Sequence, residues 1–196
     1  MPFIGNKPTA VPLTSADIQD GTIGLADLSA TGTKDSTTFL RGDNTFASAG
    51  GTNTPAFFVY KNSSQTISDA TTTKVTWNTE VYDTHNAFAS DKFTVPSGHA
   101  GKYHFTNFIH VYDENEVIDR ISRSFRKNGS QVGVNDIRNT SANIVTRNSA
   151  SSIILDLSAG DYIETYIYAN TTDNSSFIVY GESQYYTYFY GYKIIE

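Results

Sequence analysis

Residues Tyr185 to Ile195 read YYTYFYGYKII, and the reading of this stretch decides the fold. Alternation along a strand puts Tyr186, Tyr188, Tyr190, Tyr192 and Ile194 on one face. The other face then carries Tyr185, Thr187, Phe189, Gly191, Lys193 and Ile195. Both faces are largely apolar, whereas an antiparallel strand that meets water on one side alternates apolar with polar residues. The strand is therefore expected to be covered twice. One cover is a second sheet of the same chain, and the most economical other is another copy of the chain. An ordinary central strand of a monomeric sandwich is the alternative. A glycine inside such a strand marks close approach of another backbone. The face of Gly191, with Tyr185, Thr187, Phe189, Lys193 and Ile195, is accordingly expected to look outward to a partner copy.

The rest of the chain agrees with strands. Thirteen Tyr and twelve Phe stand against one Met and one Trp in 196 residues, amid many Thr, Ser, Asn and Val. Such a length holds one sizeable domain, or one domain with an extended arm. Cysteine is absent, so no disulfide framework and no thiolate metal site can form. A formal charge of −6 argues against a nucleic-acid binder, which carries a basic patch or stripe. No run of 18 apolar residues is present to cross a membrane, and the first residues, MPFIGNKPTAVPLTSADI, lack the features of a secretory signal.

Residues 1 to 54 differ from everything after them. They are rich in Gly, Thr, Ser, Ala and Asp, and their apolar residues arrive singly, as at Ile18, Ile23, Leu25, Leu28, Phe39, Leu40 and Phe46. Such spacing cannot bury a private core, so the segment is expected to be an extended attachment arm, unstructured in an isolated chain. The phrases DGTIGLADL and FLRGDNTFAS resemble those in the amino-terminal regions of bacteriophage tail-fibre and related virion proteins. Arg41-Gly42-Asp43 falls inside the second phrase and is read as part of it rather than as an integrin tripeptide.

From Pro55 to Glu196 short strand patterns alternate with turn signals. Strands are expected at 56–61, 74–82, 92–95, 101–112, 117–127, 152–157, 161–169 and 185–195, with a further one at 177–180. Asn128-Gly129 reads as a hairpin turn. The segments 62–73, 130–149 and 171–184 read as polar loops. Eight to ten antiparallel strands in this span make an all-β fold, a jelly-roll or related β-sandwich.

The ordered series of phrases AFFVYK, TEVYD, KFTVPSGHAGKYHFTNFIHV, RKNG, SIILDLSAGDYIETYIY and TYFYGYKI resembles the trimeric globular heads of complement subcomponent q and tumour necrosis factor. The resemblance implies a ten-strand jelly roll, a threefold homotrimer, and a last strand lying centrally in the inner sheet beside the trimer axis. Together with the arm it points to a virion structural protein, a fibre or spike component on the particle. Residues 1–54 would then contact other virion proteins, and a trimeric head would bind host cell-surface glycan. A capsid decoration or cementing trimer is the alternative.

No catalytic constellation stands out and no cofactor is expected. His104 and His110 share a strand face but lie six residues apart, on the order of 20 Å, too far to share a metal. Asp113, Glu114, Glu116 and Asp119 offer oxygen ligands for a calcium ion but lack EF-hand spacing, and read as a solvated acidic turn. Connections in an antiparallel sandwich alternate between its ends, which assigns 62–73, 96–100, 128–149 and 171–184 to the end distal to the arm. Asn62, Gln65, Ser97, His99, Asn128, Asn139, Asn174 and Gln184 are the receptor-binding candidates there, suited to hydrogen-bonding sugars. The segments 83–91, 113–116 and 158–160 are assigned to the basal end.

Overall fold

The structure is a computed structural model that describes residues 24, 29–48, 50–113, 115, 118–138, 146–182 and 186–194. It forms two compact units, Met1–Gly51 and Thr52–Glu196. Among the described residues there is no helix, and so none long and apolar enough to cross a membrane.

The described part of the first unit contains a hairpin of β1 (Thr38–Leu40) and β2 (Phe46–Ser48), paired antiparallel. Asn44 takes a left-handed conformation (φ 60°) in the turn, and the Arg41 and Asp43 side chains pair at 3.4 Å. Arg41-Gly42-Asp43 is thus hairpin turn, and the expectation of an arm with no structure of its own is corrected over this segment. Ile18, Ile23, Leu25 and Leu28 lie outside the described residues.

The second unit is a sandwich of two antiparallel sheets, built from β3 (Ala56–Tyr60), β4 (Gln65–Ile67), β5 (Thr73–Lys74), β6 (Thr79–Asp83), β7 (Phe88–Ala89), β8 (Lys92–Thr94), β9 (Gly101–Tyr112), β10 (Ile118–Lys127), β11 (Ser130–Arg138), β12 (Thr146–Leu157), β13 (Tyr162–Thr171), β14 (Phe177–Val179) and β15 (Tyr188–Lys193). One sheet runs β11-β10-β13-β8-β7, with β5 also on β13. In the other, β12 flanks β9 along its whole length. On the opposite side of β9 lie β15, followed by β3 and β6, and beyond the end of β15 the short β14 with β4. This is the jelly-roll reading of the sequence.

Three expectations about elements are corrected. The segment 130–149 is not a loop, because β11 and the first turn of residues in β12 fall within it. Val132 and Val134 of β11 are exposed while Ile137 lies on the half-covered face, so its apolar residues show no regular alternation that marks a strand. The single strand 74–82 is two, β5 and β6, which join different sheets across the buried Val75 and Trp77. The last strand spans six residues, fewer than the eleven read from its pattern.

Alternation supplies the core. Tyr103, Phe105, Ile109 and Val111 of β9 face Ile121 and Phe125 of β10 and Ile163 and Ile167 of β13, all essentially without exposure. Phe189 of β15 sits among the rings of Phe57 at 4.9 Å, Trp77 at 5.8 Å, Phe88 at 6.0 Å and Phe105 at 6.2 Å. Each such buried aromatic side chain contributes about 1.5–3 kcal/mol. The Trp77 indole N–H, which would otherwise be buried without a partner, donates to the Thr165 hydroxyl at 3.2 Å.

Candidate interaction surfaces

The tyrosine strand is two-faced, but its faces are the reverse of those expected. Thr187 and Phe189 are fully buried, and Gly191 packs inward between Phe105 and Phe57. A Cβ on Gly191 would come within 2.8 Å of Phe105 Cε1 and 3.0 Å of Phe57 Cε1. The glycine does mark a close approach, yet what approaches are this chain's own core rings. Thr187, Phe189 and Gly191 are therefore removed from the proposed partner face. Lys193 extends from the same face at the sandwich rim, its Nζ and Cε lying against Gly101. Tyr185 and Ile195 lie outside the described residues.

The outward face belongs to Tyr188, Tyr190 and Tyr192, each only partly covered. Register extends it across three strands, since Tyr188 stands between Tyr60 and Phe108, Tyr190 between Phe58 and Thr106, and Tyr192 beside His104. The rings touch in a continuous lattice. Phe108 stacks on Tyr188 at 5.2 Å, Phe58 meets Tyr188 at 5.7 Å and Tyr82 at 6.3 Å, and His104 meets Tyr192 at 5.2 Å. At the edges stand Tyr82, 47% exposed, and Ile154 of β12, 59% exposed. The alternation of Phe58 and Tyr60 in AFFVYK carried this signal in the sequence.

His110 lies on the same face between Tyr180 at 5.3 Å and Tyr186 at 5.4 Å. Burial, and then the positive charge of Arg123, hold its imidazole below the ordinary histidine value. Arg123 is fully buried inside the sandwich, where Nη2 donates to the Ile109 carbonyl at 3.2 Å. Burial, with Arg147 nearby, pulls its guanidinium down to about 10.

The candidate loop residues divide between the two ends of the sandwich in a new way. His99 packs its ring edge-on to that of His85 at 4.5 Å, so 96–100 and 83–91 share one end. Asn128 has a left-handed backbone (φ 52°), donates from Nδ2 to Asp161 at 2.7 Å and accepts from the Tyr162 N–H at 2.9 Å. That fixes it beside the 158–160 turn, at the same end, where Pro55, near the start of this unit, accepts the Lys193 N–H at 2.9 Å. Ser97, His99 and Asn128 are thus basal, not distal. The cause is the short β7–β8 hairpin, which turns back without crossing the sandwich: three residues rise only about 10 Å. The same shift of parity moves 113–116 to the distal end, where Asp113 follows β9.

At that distal end Asn62 donates its N–H to the Asn78 side chain, and the Gln65 amide is consumed by Lys74, Thr76 and their backbone. Gln65 is a structural pin within β4 rather than a free loop contact. Asn174 is exposed in a left-handed turn (φ 59°). Asn139, Gln184, Glu114 and Glu116 lie outside the described residues. Among the described residues no group of three or more His, Cys, Asp or Glu could hold a metal ion.

No family model and no curated protein matches the chain. Solved structures do. The crystal structure of murine APRIL at pH 5.0 is 16% identical over 71% of this chain and 98% of that one, with a TM-score of 0.52. Its structure at pH 8.0 gives 14%, the same coverage and 0.51. The globular domain of a zebrafish complement 1qA protein is 19% identical over 71% and 97%, with a TM-score of 0.48. At these identities the likeness is one of fold alone, the jelly roll shared with the two APRIL structures.

Proposed function

We propose that this chain is a bacteriophage structural protein, a fibre or spike component. Its head associates as a homotrimer through the aromatic face of β3, β9 and β15, and presents its distal surface to host-cell glycan. Its first 54 residues attach it to other virion proteins. The observation that carries the assembly is the lattice from Tyr82 to His104. Contiguous exposed apolar patches beyond a few hundred Å² mark interaction sites, and aromatic residues are enriched at the buried centres of interfaces. Closed rotational symmetry lets identical faces be covered without leaving one open, and the resemblance to trimeric heads gives the number three. The arm phrases DGTIGLADL and FLRGDNTFAS support a place on a phage particle. Three copies would turn weak single-site contacts into firm attachment.

Light scattering of the full chain tests the assembly. Wild type is expected at three times 21.5 kDa, and Tyr190→Arg at the mass of one chain with an unchanged circular dichroism spectrum. Tyr190 is the choice because its ring lies outside the core, against Phe58 at 6.2 Å and His104 at 6.4 Å. Wild type at the mass of one chain would sink the proposal.

A further inference from the structure

The sheet on the other side of the sandwich carries a trough that the loop-based reading leaves unused. Its central strand β10 turns Arg120, Ser122, Ser124 and Arg126 away from the core that Ile121, Arg123 and Phe125 enter, with Ser124 only 5% exposed beneath its larger neighbours. Register places Ser122 between Tyr168 of β13 and Asp136 of β11, and Ser124 between Tyr166 and Val134. Two small side chains on the middle strand between larger ones on both neighbours make a groove with a serine floor. Its volume is about 430 Å³, within the range of small-ligand sites.

The chemistry of the trough selects its ligand class. Arg120 donates to Asp136 from Nε at 2.9 Å and from Nη2 at 3.4 Å, and Arg138 pairs with the same carboxylate at 3.5 Å. The two charges that line the trough, Arg120 and Asp136, therefore cancel, and the exposed Arg138 adds one positive charge at its rim. The floor hydroxyls and the Gln131 amide supply donors and acceptors, while the Tyr168 ring, held at 5.2 Å under Arg120, gives one apolar wall. Farther along, Arg126 lies over Tyr166 at 4.0 Å with its Nε buried and without a partner. Alternating hydroxyls and C–H faces are the mark of a sugar ring, whereas a peptide or lipid would need a deeper apolar pocket than Val134 and Tyr168 provide.

We infer that the groove over Ser122 and Ser124 binds a short neutral oligosaccharide. This rests on the reading of the head as a glycan-binding structure and moves the site from the loops to a sheet face. The face lies opposite the aromatic lattice, so association through that lattice leaves it open. The test applies the full-length chain to immobilised neutral oligosaccharides of two to four sugars, with sialylated and sulfated ones alongside. Ser122→Tyr, Gln131→Ala and Asn174→Ala are run in parallel. The inference expects neutral sugars to be bound, at least about tenfold weakening in Ser122→Tyr and a smaller loss in Gln131→Ala. Asn174→Ala should bind as wild type, and melting temperatures and assembled mass should not change. Full binding by both groove variants with loss in Asn174→Ala would overturn the groove and leave the glycan-binding reading standing. Binding of acidic sugars alone would also overturn it. A wild-type chain that binds no sugar would overturn both. Should Ser122→Tyr melt early, Gln131→Ala decides.

Discussion

Gly191 is the residue at which a single methyl group tells the most. It faces the rings of Phe105 and Phe57 with no space for a Cβ. Gly191→Ala is expected to cost about 1–3 kcal/mol by overpacking. A thermal melt of the full chain would show it as a lowered Tm, and an unchanged Tm would mean that the rings can yield. Because the strain is in the core, a bulky residue at this position reports on folding and not on assembly. His110 gives a second test. Its folded-state pKa lies below the ordinary 6.5, so below pH 6.5 the unfolded chain takes up a proton that the folded chain resists. Stability should therefore fall as pH drops from 7.5 to 5, and His110→Gln should remove that part of the slope. Urea denaturation at the two pH values checks it; an unaltered slope in the variant would assign the effect to other groups.

At the scale of elements, a clasp between two turns holds the basal end of the sheet that contains β10 and β13. Asp161, opening β13, accepts from Asn128 Nδ2 at 2.7 Å and the Ser158 N–H at 2.8 Å, and pairs with Lys127 Nζ at 2.8 Å. Hydrogen bonds from Lys127 first, then Asn128 and Ser158, hold its carboxyl down to about 2. A depressed carboxyl contributes stability above its unfolded value of 3.8 that is lost as pH falls through about 2. Asp161→Asn should lower the Tm at pH 7 and flatten the acid limb between pH 4 and 2. Melts across that range decide it, and parallel acid limbs would refute the clasp. The same pairing explains why Asn128, a good loop candidate by residue type, is a fixed part of the turn, with one amide donor and one acceptor already engaged.

At the scale of the whole molecule, the head has two unlike outer faces. The β3, β9 and β15 face carries the aromatic lattice, with Lys102 and Asp156 opposite each other in register at its margin. The β10, β11 and β13 face is polar, with Arg120, Asp136, Lys74 and Glu164 in ion pairs. Such an asymmetry is what a subunit needs if one face is to meet copies of itself and the other is to meet a ligand. The mass of the Tyr190→Arg variant and the sugar binding of the Ser122→Tyr variant probe these two faces separately.

Composition and alternation in the sequence determined an all-β sandwich with a two-faced last strand, because both depend on local periodicity alone, whereas the jelly-roll strand order is set by tertiary pairing. The NG turn at Asn128-Gly129 was equally legible, since left-handed backbone selects those residues. Which face of Tyr188 to Lys193 is inside was not legible. Both faces are apolar, and only the packing of Phe189 against Phe57 and Trp77 decides between them. Nor could the sequence say which loops share an end, because that depends on whether a three-residue strand such as β8 crosses the sandwich or turns back. The serine-floored groove joins β10, β11 and β13, and only the register of those strands brings it together.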